Sequence, residues 1–251
     1  MIEALIWSYI SALALGLTAF VPAAPRRLSL AGAGFMAFGA ISAGAASGFA
    51  HGSLIAQLLI GASSAAGVGV LVGLGLRRLD DKYFAVATFA FSAVVVLVAS
   101  TDRQMQSGVV NKVFPHSAST FEGVIVLALC VGICRAAANS WFAFGAGALA
   151  AGAAGVLLPA EVALGTTTLI QQLCIAVGVA VIGGRRSIFG PLLGAPIAGC
   201  ALPLIVIAGR GGPIVAGLLL IAAFVWLPDG LLEIAKRAYG SFDQRRADGA
   251  A

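Results

Sequence analysis

Residues 28–76 read LSLAGAGFMAFGAISAGAASGFAHGSLIAQLLIGASSAAGVGVLVGLGL, a run of 49 without one Asp, Glu, Lys or Arg. A helix needs about 20 apolar residues to cross roughly 30 Å of hydrocarbon, so the run has room for two crossings. Ala50-His51-Gly52 falls between them and reads as a tight hairpin. The apolar residues are continuous and do not alternate with period two, which excludes a β-barrel.

The same ruler extends outward in both directions. Uncharged runs cover residues 4–25, 83–101, 136–160, 162–184, 187–209 and 211–228. One more span lies near 117–136, with Glu122 toward one end and Arg135 toward the other. The expectation is an all-α polytopic transmembrane bundle of about nine spans over residues 1–228, followed by a cytoplasmic tail over 229–251. In that tail Leu231, Ile234, Ala235, Ala238 and Phe242 recur at helical spacing, which suits a short interfacial helix.

Composition agrees. Charged residues make up 10% of the chain and hydrophobic ones 60%, whereas a soluble domain carries about 25% charged. Disorder is excluded by the surplus of apolar side chain. The net charge of +5 does not indicate nucleic-acid binding, because the Lys and Arg punctuate apolar runs and form no single patch. Counting Lys and Arg by loop puts 12 on one side of nine alternating spans and 3 on the other. Cytoplasmic loops are the basic ones, so the N-terminus is expected outside and the C-terminus in the cytoplasm of a multi-pass inner-membrane protein. Glu3 and a span-length apolar run argue against a cleavable leader.

The spans are rich in Gly, Ala and Ser, with small-xxx-small pairs such as Gly69/Gly73 and Gly190/Gly194. In lipid, close backbone approach through small residues supplies the contact energy between helices. Ionisable groups at depth are nearly absent, so no proton relay is expected. No phosphate-binding loop occurs, no cofactor is implied, and nothing points to an enzyme. Cys130, Cys134, Cys174 and Cys200 read as small buried hydrophobes with no metal role. Thr88 and Ser92 lie one turn apart on span 4, and Ser29, Ser42 and Thr168 add further hydroxyls. All five are candidates to line a solute path, although each hydroxyl has its own helix carbonyl as a competing partner. In span 8, Pro191 opens the helix after Gly190, while Pro196 and Pro203 should kink or break it. Broken helices at depth are where transporters bind substrate, so Gly190, Pro191 and Pro196 join the path candidates.

Four stretches carry a family likeness. Leu28-Ser29-Leu30-Ala31-Gly32-Ala33-Gly34-Phe35 and the residues on to Ala40 form the first; Leu76 to Phe91, with Tyr83-Phe84-Ala85 and Thr88, the second. Gly183-Gly184 followed by Gly190-Pro191-Leu192-Leu193-Gly194-Ala195 forms the third, and Trp226-Leu227-Pro228-Asp229-Gly230-Leu231 the fourth. In this order the chain resembles the branched-chain amino acid ABC transporter permeases, in particular the M-type subunit. The resemblance implies half of a translocation pathway for hydrophobic amino acids, amides or urea. It also implies a second permease subunit, cytoplasmic ATPase subunits and an extracytoplasmic solute-binding protein as partners. Two departures stand out. The long Glu- and Ala-rich loop that docks the ATPase in that family is reduced here to Arg135-Ala136-Ala137-Ala138-Asn139-Ser140, and Arg185 and Arg186 interrupt the Gly-Gly turn. ATPase coupling is therefore expected at Arg77, Arg78, Arg135, Asn139, Arg185 and Arg186, unless the chain acts alone as a channel or facilitator, or as a scaffold subunit that transports nothing.

Overall fold

The computed structural model describes residues 2–19, 28–46, 53–101, 120–137, 142–158, 166–184 and 189–207, with isolated positions between 214 and 230. All eight elements among them are helices: α1 (Ile2–Ala19), α2 (Gly32–Ala46), α3 (Leu54–Leu76), α4 (Asp81–Thr101), α5 (Thr120–Ala136), α6 (Phe142–Leu157), α7 (Thr166–Gly183) and α8 (Phe189–Ile207). The Ala50-His51-Gly52 hairpin and the tail beyond Gly230 lie outside the described residues.

α3 and α4 are the two described helices that are long and apolar enough to cross a membrane. Both are built inside out. The residues α3 buries are small or polar, Gln57, Gly61, Ala65, Gly69 and Gly73, and α4 buries the polar Thr88 and Ser92 together with Phe84, Val96 and Ala99. Their exposed positions include Ile55, Leu59 and Leu71, and Tyr83, Val86, Val94 and Leu97. In water the hydrophobic effect favours the reverse arrangement. Asp80 starts α4 by accepting the Phe84 N–H at 2.9 Å, and Asp81 sits in the first turn, where the helix dipole favours a carboxylate.

α6 is the centre. Every residue from Ala143 to Leu157 is buried except Leu149, as expected for a helix apolar on all sides. It runs antiparallel to α3 in a fixed register. A methyl group added to Gly61 would strike Val156, one on Gly152 would strike Ala65, one on Gly69 would strike Ala148, and one on Gly73 would strike Phe144. α2 crosses the same place, since Gly39 abuts the Gly152 backbone and Gly155 abuts Met36. Three backbones thus meet where only hydrogen fits.

One end of the bundle collects four connections. α1 ends beside the start of α2, with the Ser29 N–H donating to Ala19 O at 3.2 Å. Gly16 of α1 packs on Val179 and Pro191, at the α7–α8 junction, and Gly147 of α6 packs on Leu17 and Thr18. Gly73 on Phe144 brings the end of α3 to the start of α6. The helix ends that flank the α1–α2, α3–α4, α5–α6 and α7–α8 connections therefore lie together. The opposite end joins the start of α1 to that of α5, through Trp7 and Ile10 against Gly123.

The expected break at the prolines of α8 is not seen. α8 is assigned as one continuous helix through Pro196 and Pro203, from Phe189 to Ile207. Proline is tolerated within a helix where neighbouring groups re-satisfy the freed carbonyl. The interruption sits at the start of α2 instead. Residues 28–31 are not helical, so the span expected from Leu28 begins at Gly32. The fifteen residues of α2 extend only about 22 Å.

Candidate functional site

The polar interior gathers around α2. Among the described residues the buried polar side chains are Ser11, Thr18, Ser29, Gln57, Thr88, Ser92 and Gln172. None of them carries a charge.

At the start of α2 the helix is held from outside its own sequence. The Leu30 N–H donates to Thr88 Oγ1 at 3.1 Å, and the Ala31 N–H donates to Ser29 Oγ at 3.3 Å. Ser92 does more. Its Oγ accepts from the Gly34 N–H at 3.1 Å and donates to Leu30 O at 2.7 Å. Leu30 O and Gly34 N–H are the pair that a continuous helix would join directly. Ser92 is spliced into that bond, and the first ordinary bond follows at Phe35 N–H to Ala31 O, 3.0 Å. A hydroxyl inserted into the helical ladder is a recognised cause of a break or bend. Gly34 permits the approach, because a methyl group there would lie 2.8 Å from Ser92 Cα.

A chain of four rings closes the space beside this turn. Phe35 stacks tilted on Phe91 at 5.0 Å and edge-on to Phe144 at 5.7 Å. Phe144 in turn meets Phe84 at 5.9 Å. Edge-to-face pairs of this kind add to plain area burial.

Farther along α2, Ser42 and Ser64 face each other across the α2–α3 seam, Oγ to Oγ, at 2.6 Å. Ser42 also reaches Gly39 O at 3.1 Å, and Ser64 reaches Gly61 O at 3.0 Å. Two hydroxyl hydrogens serve three contacts, so one serine donates to the other while its partner donates to its own helix. Gln57 lies two turns from Ser64, near the start of α3, and is 2% exposed.

The sequence-derived candidates divide accordingly. Ser29, Thr88 and Ser92 come together at the broken turn, each completely buried. Thr88 donates within α4, with Phe84 O at 2.9 Å and Ala85 O at 3.0 Å in reach, whereas Ser92 turns away from its own helix. Ser42 lies deeper on α2. Thr168 is on α7, its side chain outside the described set. Gly190 and Pro191 are buried in the α7–α8 junction, Gly190 against Gly183 and Gly184, and Pro196 is exposed on the outer face of α8. Arg77 and Arg78 sit exposed in the α3–α4 turn and Arg135 is exposed at the end of α5. Asn139, Arg185 and Arg186 lie outside the described residues. Gln57 and Gln172 were not foreseen. A ruler built on charge passes over glutamine, and the signal available was an amide inside an apolar run, Leu54-Ile55-Ala56-Gln57-Leu58.

Among the described residues no cluster of His, Cys, Asp and Glu could hold a metal ion. Cys130 and Cys134 are buried and free, one turn apart on α5. At the α7–α8 junction Gly184 takes φ +94° and closes α7 with its N–H on Ala180 O at 3.2 Å, a glycine C-cap. Gly230, φ +79°, lies against it, so that a methyl group at 230 would overlap Gly184. Compared with known proteins, the chain matches no family model, no curated protein and no solved structure.

Proposed function

We propose that this chain is a multi-pass inner-membrane protein and the permease subunit of an ABC-type importer, forming half of a solute pathway centred on α2. The observation that carries this reading is a short helix, broken at its start and surrounded by buried uncharged polar groups, inside a bundle whose outer faces are apolar. Irregular backbone at membrane depth is tolerated where it is buried in protein or lines a path, and transporter sites are built on such broken helices. The lipid is the remaining partner of the exposed aliphatic faces of α3 and α4.

Two further observations support the assignment. The four stretches that resemble the branched-chain amino acid permeases meet in pairs: Leu30 and Gly34 with Thr88 and Ser92, and Gly183 and Gly184 with Gly230. The helix ends that flank Arg26 and Arg27, Arg77, Arg78 and Lys82, Arg135, and Arg185 and Arg186 in the sequence are those that share one end. With that end in the cytoplasm, nine spans put the N-terminus outside, and those residues face the ATPases. The solute, a hydrophobic amino acid or a related amide, would arrive from a binding protein at the opposite end.

One observation favours a second reading, a self-sufficient channel or facilitator. Only residues 137–141 connect α5 to α6, which is too little chain for an acidic docking helix. The test is uptake of radiolabelled leucine, and in parallel of a radiolabelled neutral amide such as acetamide or urea, into vesicles holding the chain purified with its partner subunits. ATP-dependent accumulation supports the importer. Flux through the chain alone, independent of ATP, replaces that reading with the facilitator, and no flux in either preparation leaves the scaffold.

A further inference from the structure

We propose that the carboxamide of Gln57, which no described residue engages, is a solute-recognition group that binds an uncharged hydrogen-bonding group of the solute at the non-basic end of the α2–α3 seam. The inference deepens the permease reading and rests on it.

Gln57 is 2% exposed and occupies the buried face of α3 together with Gly61, Ala65, Gly69 and Gly73. Its backbone is satisfied, the N–H donating to Ser53 O at 3.1 Å. Its side chain has two donors and an acceptor, and none of them is engaged by a described residue. The buried hydroxyls of the α2 surround behave differently: Ser29, Thr88 and Ser92 each hold a backbone group. Burying an amide without a partner is costly, and the cost is greater where no water is at hand. Methionine would fill nearly the same volume with no polar atom to satisfy. A buried group that lowers stability without holding the fold together marks a functional position.

Placement and chemistry narrow the ligand. Gln57 stands one turn beyond the Gly61–Val156 contact, toward the first residue of α3, at the end opposite the shared basic connections. Ser64, paired with Ser42, follows on the same face seven residues on, about 10 Å along the helix. A solute moving along this seam from the non-basic end meets the amide first and the hydroxyl pair second. No charged side chain is buried among the described residues, so an ion there would lack a counter-charge. An amide offers donor and acceptor side by side, which complements a neutral group presenting the same pair.

The experiment uses the full chain. Gln57→Met is compared with the wild type by thermal unfolding in detergent, and Gln57→Cys is treated in lipid vesicles with a small membrane-impermeant thiol reagent. The wild type supplies the background from Cys130, Cys134, Cys174 and Cys200, and Ala65→Cys, on the same face two turns deeper, serves as the buried control. The expected results are a Tm raised by about 2–4 °C for Gln57→Met, and labelling of Gln57→Cys at least about tenfold faster than Ala65→Cys. A lowered Tm, or failure of Gln57→Met to fold, shows the amide paired within the protein and overturns the proposal. Labelling of Gln57→Cys no faster than Ala65→Cys overturns it as well, because no solute path then reaches the site. Failure of the membrane reading has a separate signature: Ser53→Cys and Arg78→Cys, at the two ends of α3, would label from the same side of the vesicle.

Discussion

The α3–α6 seam and the α2–α4 seam join helices of the same bundle by opposite means. Along α3–α6 the contacts from Gly61 to Gly73 involve no polar side chain, since Ser64 turns to Ser42 of α2. Glycine and alanine let the backbones touch, and van der Waals contact does the holding. Along α2–α4 two hydroxyls, Thr88 and Ser92, hold a turn that is not yet helix, and a row of phenylalanines fills the gap. The first seam resists any added atom. The second has hydrogen bonds with an alternative arrangement, since Leu30 O and Gly34 N–H can pair directly if Ser92 withdraws. Rigidity and adjustability thus have separate addresses in the bundle, and α2 touches both.

The strongest way to break this contrast is to add bulk to the tight seam. Gly152→Leu drives a side chain into Ala65 and the Gly61 carbonyl. The expected outcome is a loss of about 3 kcal/mol or more, read as failure to accumulate in the membrane or as a collapse of Tm. A Gly152→Leu protein with wild-type Tm would show that the two seams are not different in kind.

The adjustable seam should respond less, and in a defined order. Thr88→Val leaves the partly buried Leu30 N–H without its acceptor, at a cost of about 1–3 kcal/mol. Ser92→Ala lets Gly34 N–H and Leu30 O close on each other, so its cost is expected below about 1 kcal/mol. Chemical denaturation of the two variants in one detergent sharpens the point. If Ser92→Ala proves the more damaging, the spliced turn does not re-form and the seam is as fixed as the other. The smallest effect is expected on the outward-facing side of α3. Gly67 has nothing within 4 Å of an added methyl group, so Gly67→Ala should leave Tm unchanged or raise it slightly, by up to about 1 kcal/mol of helix propensity.

Sequence reading fared unevenly across these same regions, for physical reasons. The uncharged run 28–76 announces two helices, and α2 and α3 both fall within it. Its glycine content announces close packing, yet Gly61 and Gly67 look alike in the sequence; only the fold turns one to α6 and the other outward. The start of α2 was not legible, because Leu28-Ser29-Leu30 is as apolar as a helix. What interrupts it is a hydroxyl 62 residues away from Leu30. Thr88 and Ser92 were visible as candidates from their spacing, but their engagement with the backbone of α2 depends on that same distant pairing. Pro196 and Pro203 mark where helices often fail, and α8 nevertheless runs through them.

The spacing on α3 has a geometric consequence. Its buried residues recur every fourth position, from Gln57 to Gly73, while an α-helix completes a turn in about 3.6 residues. Each step therefore rotates the line of contact by about 40°. For α3 to stay against α6 throughout, the two must coil about each other in the right-handed sense. A single residue inserted between Gly61 and Gly73 would swing one half of that line by about 100° away from α6.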